Sequence, residues 1–387
     1  MIRNPTRFGL IAATFLALTG ARGVVLLGDG NPATNTTAPT GDLAGSGWQY
    51  EGGFGGFLGT PIAPEFFMTA KHVSGASSVF NYLGTNYDLL QRYSDPFSDL
   101  SIWQVNGTFP SFAPLYTSGA EAGQPLVVMG RGTQRGAAVS RGGTLRGWAW
   151  GTGDGVERWG QNIVSDIVAD GTLNQYVYAT FDQEGGPNEA HLSSGDSGGA
   201  VFIRDGLVWK LAGINYAVDG PFFSDASGGG GFDGALFDAR DFYYQDGYNP
   251  PHFSLITGKR PVPSGFYASR IASKLGWIYS VIDPNGDVDG NGISNLTDYA
   301  HSLNLAGPIG PGAPIVAREG SALTITYRRL VRANAPASII EKSNDLRMWA
   351  AATPTETILR VDEDVQTVKA SVPVSGTRLF LRVRTGP

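Results

Sequence analysis

A serine hydroxyl is close to inert at neutral pH and becomes a nucleophile only where a base takes its proton and a third group holds that base in place. The chain offers such a hydroxyl in Gly195-Asp196-Ser197-Gly198-Gly199, directly ahead of the apolar run Ala200-Val201-Phe202. It has no cysteine, which excludes thiol nucleophiles, thiolate metal sites and disulfides. A base must come from only four histidines. His72 ends Thr69-Ala70-Lys71-His72, after the apolar Phe66-Phe67-Met68, where a strand would deliver an imidazole to a loop edge. Asp99 opens Asp99-Leu100-Ser101-Ile102-Trp103, and an acid that leads into an apolar strand is partly buried. A carboxylate of that kind beside Nδ1 fixes the imidazole tautomer and stabilises the imidazolium. Asp95 competes for the role, but Ser94-Asp95-Pro96 is a turn composition, so Asp99 is preferred. The expected chemistry is acyl transfer through Ser197, His72 and Asp99, with no cofactor needed for catalysis.

The elements that must hold these groups are strands. Short apolar segments at 54–58, 65–70, 126–129, 176–181, 200–203 and 209–214 alternate with Gly-rich turns, a pattern that suits a barrel or sandwich. Ile271, Leu275, Ile278 and Ile282 recur at helical spacing, so residues 270–282 read as one amphipathic helix closing the domain. With 55 Gly and 23 Pro, and only 16% charged residues, the composition is that of a loop-rich β protein. A formal charge of −6 without a Lys/Arg cluster gives no footprint for nucleic acid or an anionic membrane. Gly195-x-Ser197-x-Gly199 also fits the nucleophile elbow of α/β-hydrolases. That fold takes its histidine after the serine, leaving His252 or His301 in no strand-end context. It also needs alternating helices and parallel strands, which residues 48–260 do not show.

Thr69-Ala70-Lys71-His72, Asp99-Leu100-Ser101-Ile102 and Gly195 to Gly199, in that order, resemble the three signature segments of the chymotrypsin/trypsin serine peptidases. Leu211-Ala212-Gly213-Ile214 resembles the strand that follows the nucleophile in that family. Gly265-Phe266-Tyr267-Ala268-Ser269-Arg270-Ile271, with Trp277-Ile278, resembles its last strand and terminal helix. The resemblance spans about residues 48–282 and implies a double β-barrel with the catalytic residues in the cleft between barrels. The activity it implies is endopeptidase hydrolysis of a protein or peptide substrate through an acyl-enzyme. It further implies an oxyanion hole from the backbone N–H groups of Gly195 and Ser197, and substrate contacts from His191, Ile214, Asn215, Tyr216 and Gly265. His191 stands where the base of the primary pocket is expected, which disfavours cleavage after Arg or Lys. Tyr216 and Val218 replace the small residues common on the pocket wall. Asp196 is expected to pair with a newly exposed α-amine at Val24, with Leu26-Leu27 departing from the usual glycines there. The stretch 219–261 is longer than the family's connection, and its run Gly228 to Gly231 reads as a flexible lid or exosite.

Around this domain, Arg3, Arg7, the apolar run 9–18 and the small residues Ala21 and Gly23 read as an export signal over residues 1–23. The apolar run is about half of the roughly 20 residues a membrane-spanning helix needs, so a secreted or cell-surface protein without a span is expected. The peptidase domain then covers 24–282 and a calcium-loop-like segment and linker cover 283–314. Asp287-x-Asp289-x-Asn291-Gly292, with the Ile293 carbonyl and Asp298 at the twelfth place, follows the pattern of a Ca2+ loop. Asp at the last place resembles dockerin-type loops. Residues 315–387, with strand-like runs at 323–327, 337–341 and 379–383, read as a small β-sandwich-like module. Its Ser343-to-Trp349 segment resembles terminal modules of exported bacterial proteins, so attachment to a cell surface or matrix is one expected role. A catalytically inactive peptidase-fold binding or adhesion protein is the alternative functional class.

Overall fold

The computed structural model describes residues 23–170, 174–301, 313–331, 335–362, 364–376 and 378–386. Residues 1–22 of the expected export signal and 302–312 of the expected linker lie outside the described residues. The chain is mainly β and divides into two compact units between Ser273 and Lys274.

The first unit begins with β1 (Val25–Leu26), followed by six strands that close into a barrel. These are β2 (Gly52–Phe54), β3 (Phe57–Ala63), β4 (Phe66–Ala70), β5 (Val79–Tyr82), β6 (Thr85–Ser94) and β7 (Leu100–Val105), in the order β2-β3-β4-β7-β6-β5. The apolar segment at 54–58 is a hairpin rather than one strand, because Gly55 turns the chain at φ +60. Alternate residues of the strands point inward, and Phe54, Phe67, Phe80, Tyr82 and Phe109 fill the barrel. Phe67 and Phe80 stack with ring centroids 3.9 Å apart. Burial of each such side chain contributes about 1.5–3 kcal/mol.

The next strands are β8 (Pro125–Gly130), β9 (Thr133–Arg141), β10 (Thr144–Gly153), β11 (Arg158–Ile163), β12 (Asp166–Ala169), β13 (Gln175–Thr180) and β14 (Ala190–His191). They are followed by β15 (Ala200–Asp205), β16 (Val208–Val218), β17 (Phe222–Phe223), β18 (Gly234–Leu236), β19 (Tyr243–Tyr248), β20 (Pro251–Leu255) and β21 (Gly265–Arg270). Seven of them form one sheet in the order β11-β8-β15-β16-β21-β13-β12. Instead of a ladder between β11 and β13, the side chain of Asn162 donates to Thr180 O at 2.8 Å and the Ser165 N–H donates to Tyr178 O at 2.8 Å. Leu126, Val128, Val177, Val201, Ile203 and Phe266 form its core, which Val24 and Leu26 join.

The 219–261 stretch is an ordered subdomain. β18 extends the β9–β10 hairpin, β17, β19 and β20 form a second small sheet, and Phe222, Leu236, Phe242 and Ile256 give it a core of its own. The run at 228–231 is a closed turn: the Gly229 N–H donates to Asp225 Oδ1 and the Ser224 N–H to Gly229 O.

The second unit starts with α1 (Leu275–Ile282), so the helix is shorter than its apolar repeat suggests. Residues 265–270 ahead of it are held as β21 by pairing with β13 and β16. After α2 (Asn295–Ala300) come β22 (Ile315–Glu319), β23 (Ala322–Leu330), β24 (Ala337–Ser343), β25 (Ala350–Ala351), β26 (Thr355–Asp362), β27 (Val365–Pro373) and β28 (Phe380–Gly386). A four-stranded sheet and a three-stranded sheet share one apolar cluster, with Ile325, Tyr327, Val368 and Val372 from the first and Ile340 and Leu381 from the second. The Ser343-to-Trp349 segment is a local turn: Ser343 Oγ accepts the Leu346 N–H and Asp345 accepts those of Arg347 and Met348.

Candidate active site

β4 leaves the barrel at Ala70, and a single 3-10 turn, Lys71–Val73, carries His72. Asp99 sits one residue ahead of β7, the strand that pairs with β4, and the Lys71 N–H donates to Asp99 O at 2.9 Å. That register brings carboxylate and imidazole together. The His72 main-chain N–H donates to Asp99 Oδ1 at 3.0 Å, and ring Nδ1 lies 2.5 Å from Oδ2. With Nδ1 bound to the carboxylate, Nε2 is the acceptor nitrogen, and it lies 2.8 Å from Ser197 Oγ. Asp95 is engaged in its own turn, where its carboxylate accepts from Ser98 Oγ at 2.5 Å.

Ser197 lies on the turn between β14 and β15. Its fold depends on residues with no side chain. Gly198 has φ +80, and a Cβ there would come within 2.3 Å of Thr69 Oγ1 and 2.5 Å of Leu58 O, so only glycine lets the turn dock on the barrel. Gly195, at φ +98, turns the chain two residues earlier. The N–H groups of Gly195 and Ser197 donate to no acceptor of the described chain, although both residues are buried. Buried amides are nearly always satisfied. Two unsatisfied ones beside one hydroxyl are available as a donor pair.

The carboxylate of Asp196 anchors this turn from beneath. It accepts the Gly132 N–H at 2.6 Å, the Ser193 N–H at 2.7 Å and the Ser193 hydroxyl at 3.0 Å. A Cβ on Gly130 or Gly132 would lie 2.0 or 2.4 Å from its oxygens, so the loop after β8 is shaped around the acid. Burial raises the Asp196 carboxyl to about 7 against the pull of these donors. In the full-length chain these bonds, all internal to it, are the ones the Asp196 carboxylate makes. Val24 packs into the sheet core and Val25 pairs with His191. Gly132 was not legible as a functional residue, because its role arises from a contact across 64 positions. The only local hint was the Gly-Arg-Gly run after an apolar strand.

The expected substrate contacts fall into two groups. Tyr216 lines a cavity of about 270 Å3 on the His72 side, with Phe97, Asp170 and Tyr176, and its ring stacks on Tyr176 at 5.2 Å. Tyr216 and Asn215 also line a hollow of about 10 Å3 beside Ser197. His191, Ile214 and Gly265 line neither cavity. His191 is wholly buried between Phe181 and Phe266 because its strand pairs with β1. Its Nδ1 donates to Leu192 O at 2.6 Å, and burial lowers the imidazole to about 4, so it is neutral at pH 7. Ile214 is interior to the sheet, and the Gly265 N–H donates to Asp219 Oδ2. Asn215 holds the nucleophile turn: its Nδ2 donates to Met129 O at 2.8 Å and Asp196 O at 3.0 Å. His252, on the β19–β20 hairpin, bonds Asp246, and His301 bonds Arg328 O.

In the acidic loop of the second unit the carboxylates meet N–H groups. Asn291 Nδ2 donates to Asp289 Oδ2 at 3.0 Å and lies 3.3 Å from Asp298 Oδ2, while Asp287 accepts the Asn291 and Gly292 N–H groups. Asn291 Oδ1 accepts the Ile293 N–H at 2.7 Å. The expected ligands Asp287, Asp289, Asn291 and Asp298 therefore come together as a hydrogen-bonded turn. Among the described residues no group of three or more His, Asp or Glu side chains is disposed to hold a metal ion.

Compared with known proteins, the chain matches no family model and no curated protein. Among the described residues no helix is long and apolar enough to cross a membrane.

Proposed function

We propose that the chain is a serine endopeptidase of the chymotrypsin type, exported from the cell and acting on protein or peptide substrates. The observation that carries this reading is the unbroken line of hydrogen bonds from Asp99 through His72 to Ser197, ending beside the two unsatisfied amides of Gly195 and Ser197. Coincidence of a base, its orienting acid and an oxyanion donor pair around one hydroxyl is what acyl transfer needs. The closed barrel and the seven-stranded sheet are the two halves of the double-barrel architecture in this reading.

His72 Nε2 takes the Ser197 proton as Oγ bonds to the substrate carbonyl carbon. The negative oxygen settles on the Gly195 and Ser197 amides, and Asp99 stabilises the imidazolium. His72 then returns the proton to the leaving amine as the C–N bond breaks, which leaves an acyl-serine. Water repeats the sequence, its proton passing to His72 and then back to Ser197 Oγ as the acid is released. Oxyanion donors of this kind are each worth about a hundred- to a thousandfold in rate.

The test is covalent labelling of Ser197 with a phosphonofluoridate, together with casein hydrolysis by the full chain and by Ser197→Ala. Labelling confined to Ser197, with hydrolysis lost in the variant by about 10⁴-fold or more, is the expected result. A folded chain that takes no label and cleaves no peptide overturns the proposal.

A further inference from the structure

Chemistry fixes where the acyl residue's side chain must go. The attacked carbonyl carbon lies about 3 Å from Ser197 Oγ in any reactive complex. The side chain of that same residue branches from the adjacent carbon, so it enters the hollow that Ser197 itself lines. That hollow measures about 10 Å3, room for one group about the size of a water molecule. The cavity on the His72 side is far larger, at about 270 Å3, but Ser197 is not among its walls.

The walls of the hollow are anchored. Val218 and Leu192 pack with the core of the seven-stranded sheet, and Tyr216 is stacked on Tyr176. Trp150, from β10, packs against the cluster of Val25, Phe181, Ala235 and Phe237, and its main-chain N–H donates to Asp233 O at 3.0 Å. A ring or a branched chain could enter only by displacing side chains that are already packed, which is disfavoured as overpacking is in any core.

The indole Nε1 of Trp150 and Oδ1 of Asn215 are buried without a partner and have almost no accessible surface. The Asn215 amide is oriented by the two carbonyls its Nδ2 reaches, Met129 O and Asp196 O, so the hollow selects by size.

We propose, resting on the peptidase reading above, that this site takes acyl residues with side chains no larger than those of alanine and serine. Val218, which lines the hollow and packs with the core of the seven-stranded sheet, is the specificity-determining residue.

The experiment uses the full chain and peptidyl p-nitroanilides that differ only in the acyl residue: Gly, Ala, Ser, Leu, Phe or Lys. Phosphonofluoridate labelling of Ser197 is run on the same samples. The expected kcat/KM for Ala and Ser exceeds that for Leu, Phe and Lys by about 100-fold. Val218→Gly is expected to raise kcat/KM for Leu by about tenfold or more. If Val218→Gly takes no label, Val218→Ala is read in its place. A labelled parent that favours Leu, Phe or Lys overturns the inference and leaves the peptidase reading intact. A parent that takes no label removes the peptidase reading, and this inference with it.

Discussion

The barrel presents His72 and Asp99 on turns that water reaches, with 28% and 11% of their side chains exposed. The seven-stranded sheet presents Ser197 from a turn that is almost wholly interior, with Ser197 at 6% and Asp196 at 1%. In this reading the contrast follows from the work each half does. The imidazole gains and loses a proton in every cycle, so it needs a solvated, polarisable setting and one firm partner. The oxyanion amides must already point at a charge that exists only in the transition state, and rigidity supplies that orientation before the reaction begins. Asp99 and Asp196 divide along the same line. One carboxylate bears on a charge that forms and vanishes, and the other holds backbone in place.

The sharpest way to break this division is to neutralise each acid's role separately. Asp99→Asn keeps the shape of the side chain but offers an amide where Nδ1–H needs an acceptor, so the imidazole loses its orientation and tautomer. The expected loss is about 10⁴-fold in kcat with KM little changed, measured on the best p-nitroanilide substrate. A loss confined to KM would mean that Asp99 only shapes the substrate cleft.

A smaller loss is expected on the buried side. Gly132→Ala puts a methyl 2.4 Å from Asp196 Oδ2 and from Ser193 Oγ, which forces the loop off the carboxylate that shapes the oxyanion turn. Since Gly132 meets the substrate only through that turn, kcat should fall by about a hundred- to a thousandfold while binding of a product-like peptide is retained. Because the three donors to Asp196 all come from Gly132 and Ser193, retaining residues ahead of Val24 should leave the rate of Ser197 labelling unchanged. An oxyanion turn that formed only after cleavage at Val24 would reverse this assignment.

The two halves also differ in how much the sequence discloses. Thr69-Ala70-Lys71-His72 and Gly195 to Gly199 are legible because their chemistry is local: a strand end delivers the base, and glycines permit the turn at φ +98 and +80. The choice of Asp99 over Asp95 was legible for a similar reason, since the residue ahead of an apolar strand shares that strand's register. Specificity was not legible. His191 was placed at the base of the primary pocket by counting back from Ser197, but counting does not show that its strand pairs with Val25 and is sealed between two phenylalanines. Trp150 comes from a hairpin 47 positions before Ser197 and carries no local sign of facing it. The start of the helix was not legible for a related reason. Apolar spacing runs through residues 270–282, yet strand pairing claims the first of them and the helix begins at Leu275.

The smallest of these effects separates the buried groups by their sign. His191 is neutral in the folded chain down to about pH 4 because burial disfavours the imidazolium, whereas an exposed unfolded imidazole titrates at about 6.5. Between those values the unfolded state binds more protons, so the contribution of His191 is fully present above about pH 6.5 and is lost as pH falls towards 4. Asp196 acts in the opposite direction. Its folded carboxyl, raised to about 7, binds the proton more readily than an unfolded one, so its contribution declines as pH rises from about 4 to 7. The two slopes oppose each other across one window. Urea unfolding of the full chain should therefore show His191→Gln losing less stability than the parent between pH 6.5 and 4, by up to about 3 kcal/mol. Asp196→Asn should lose less than the parent between pH 4 and 7. Parallel pH profiles for parent and His191→Gln would mean that water reaches the ring, and the wall beneath the nucleophile turn would then be open rather than sealed.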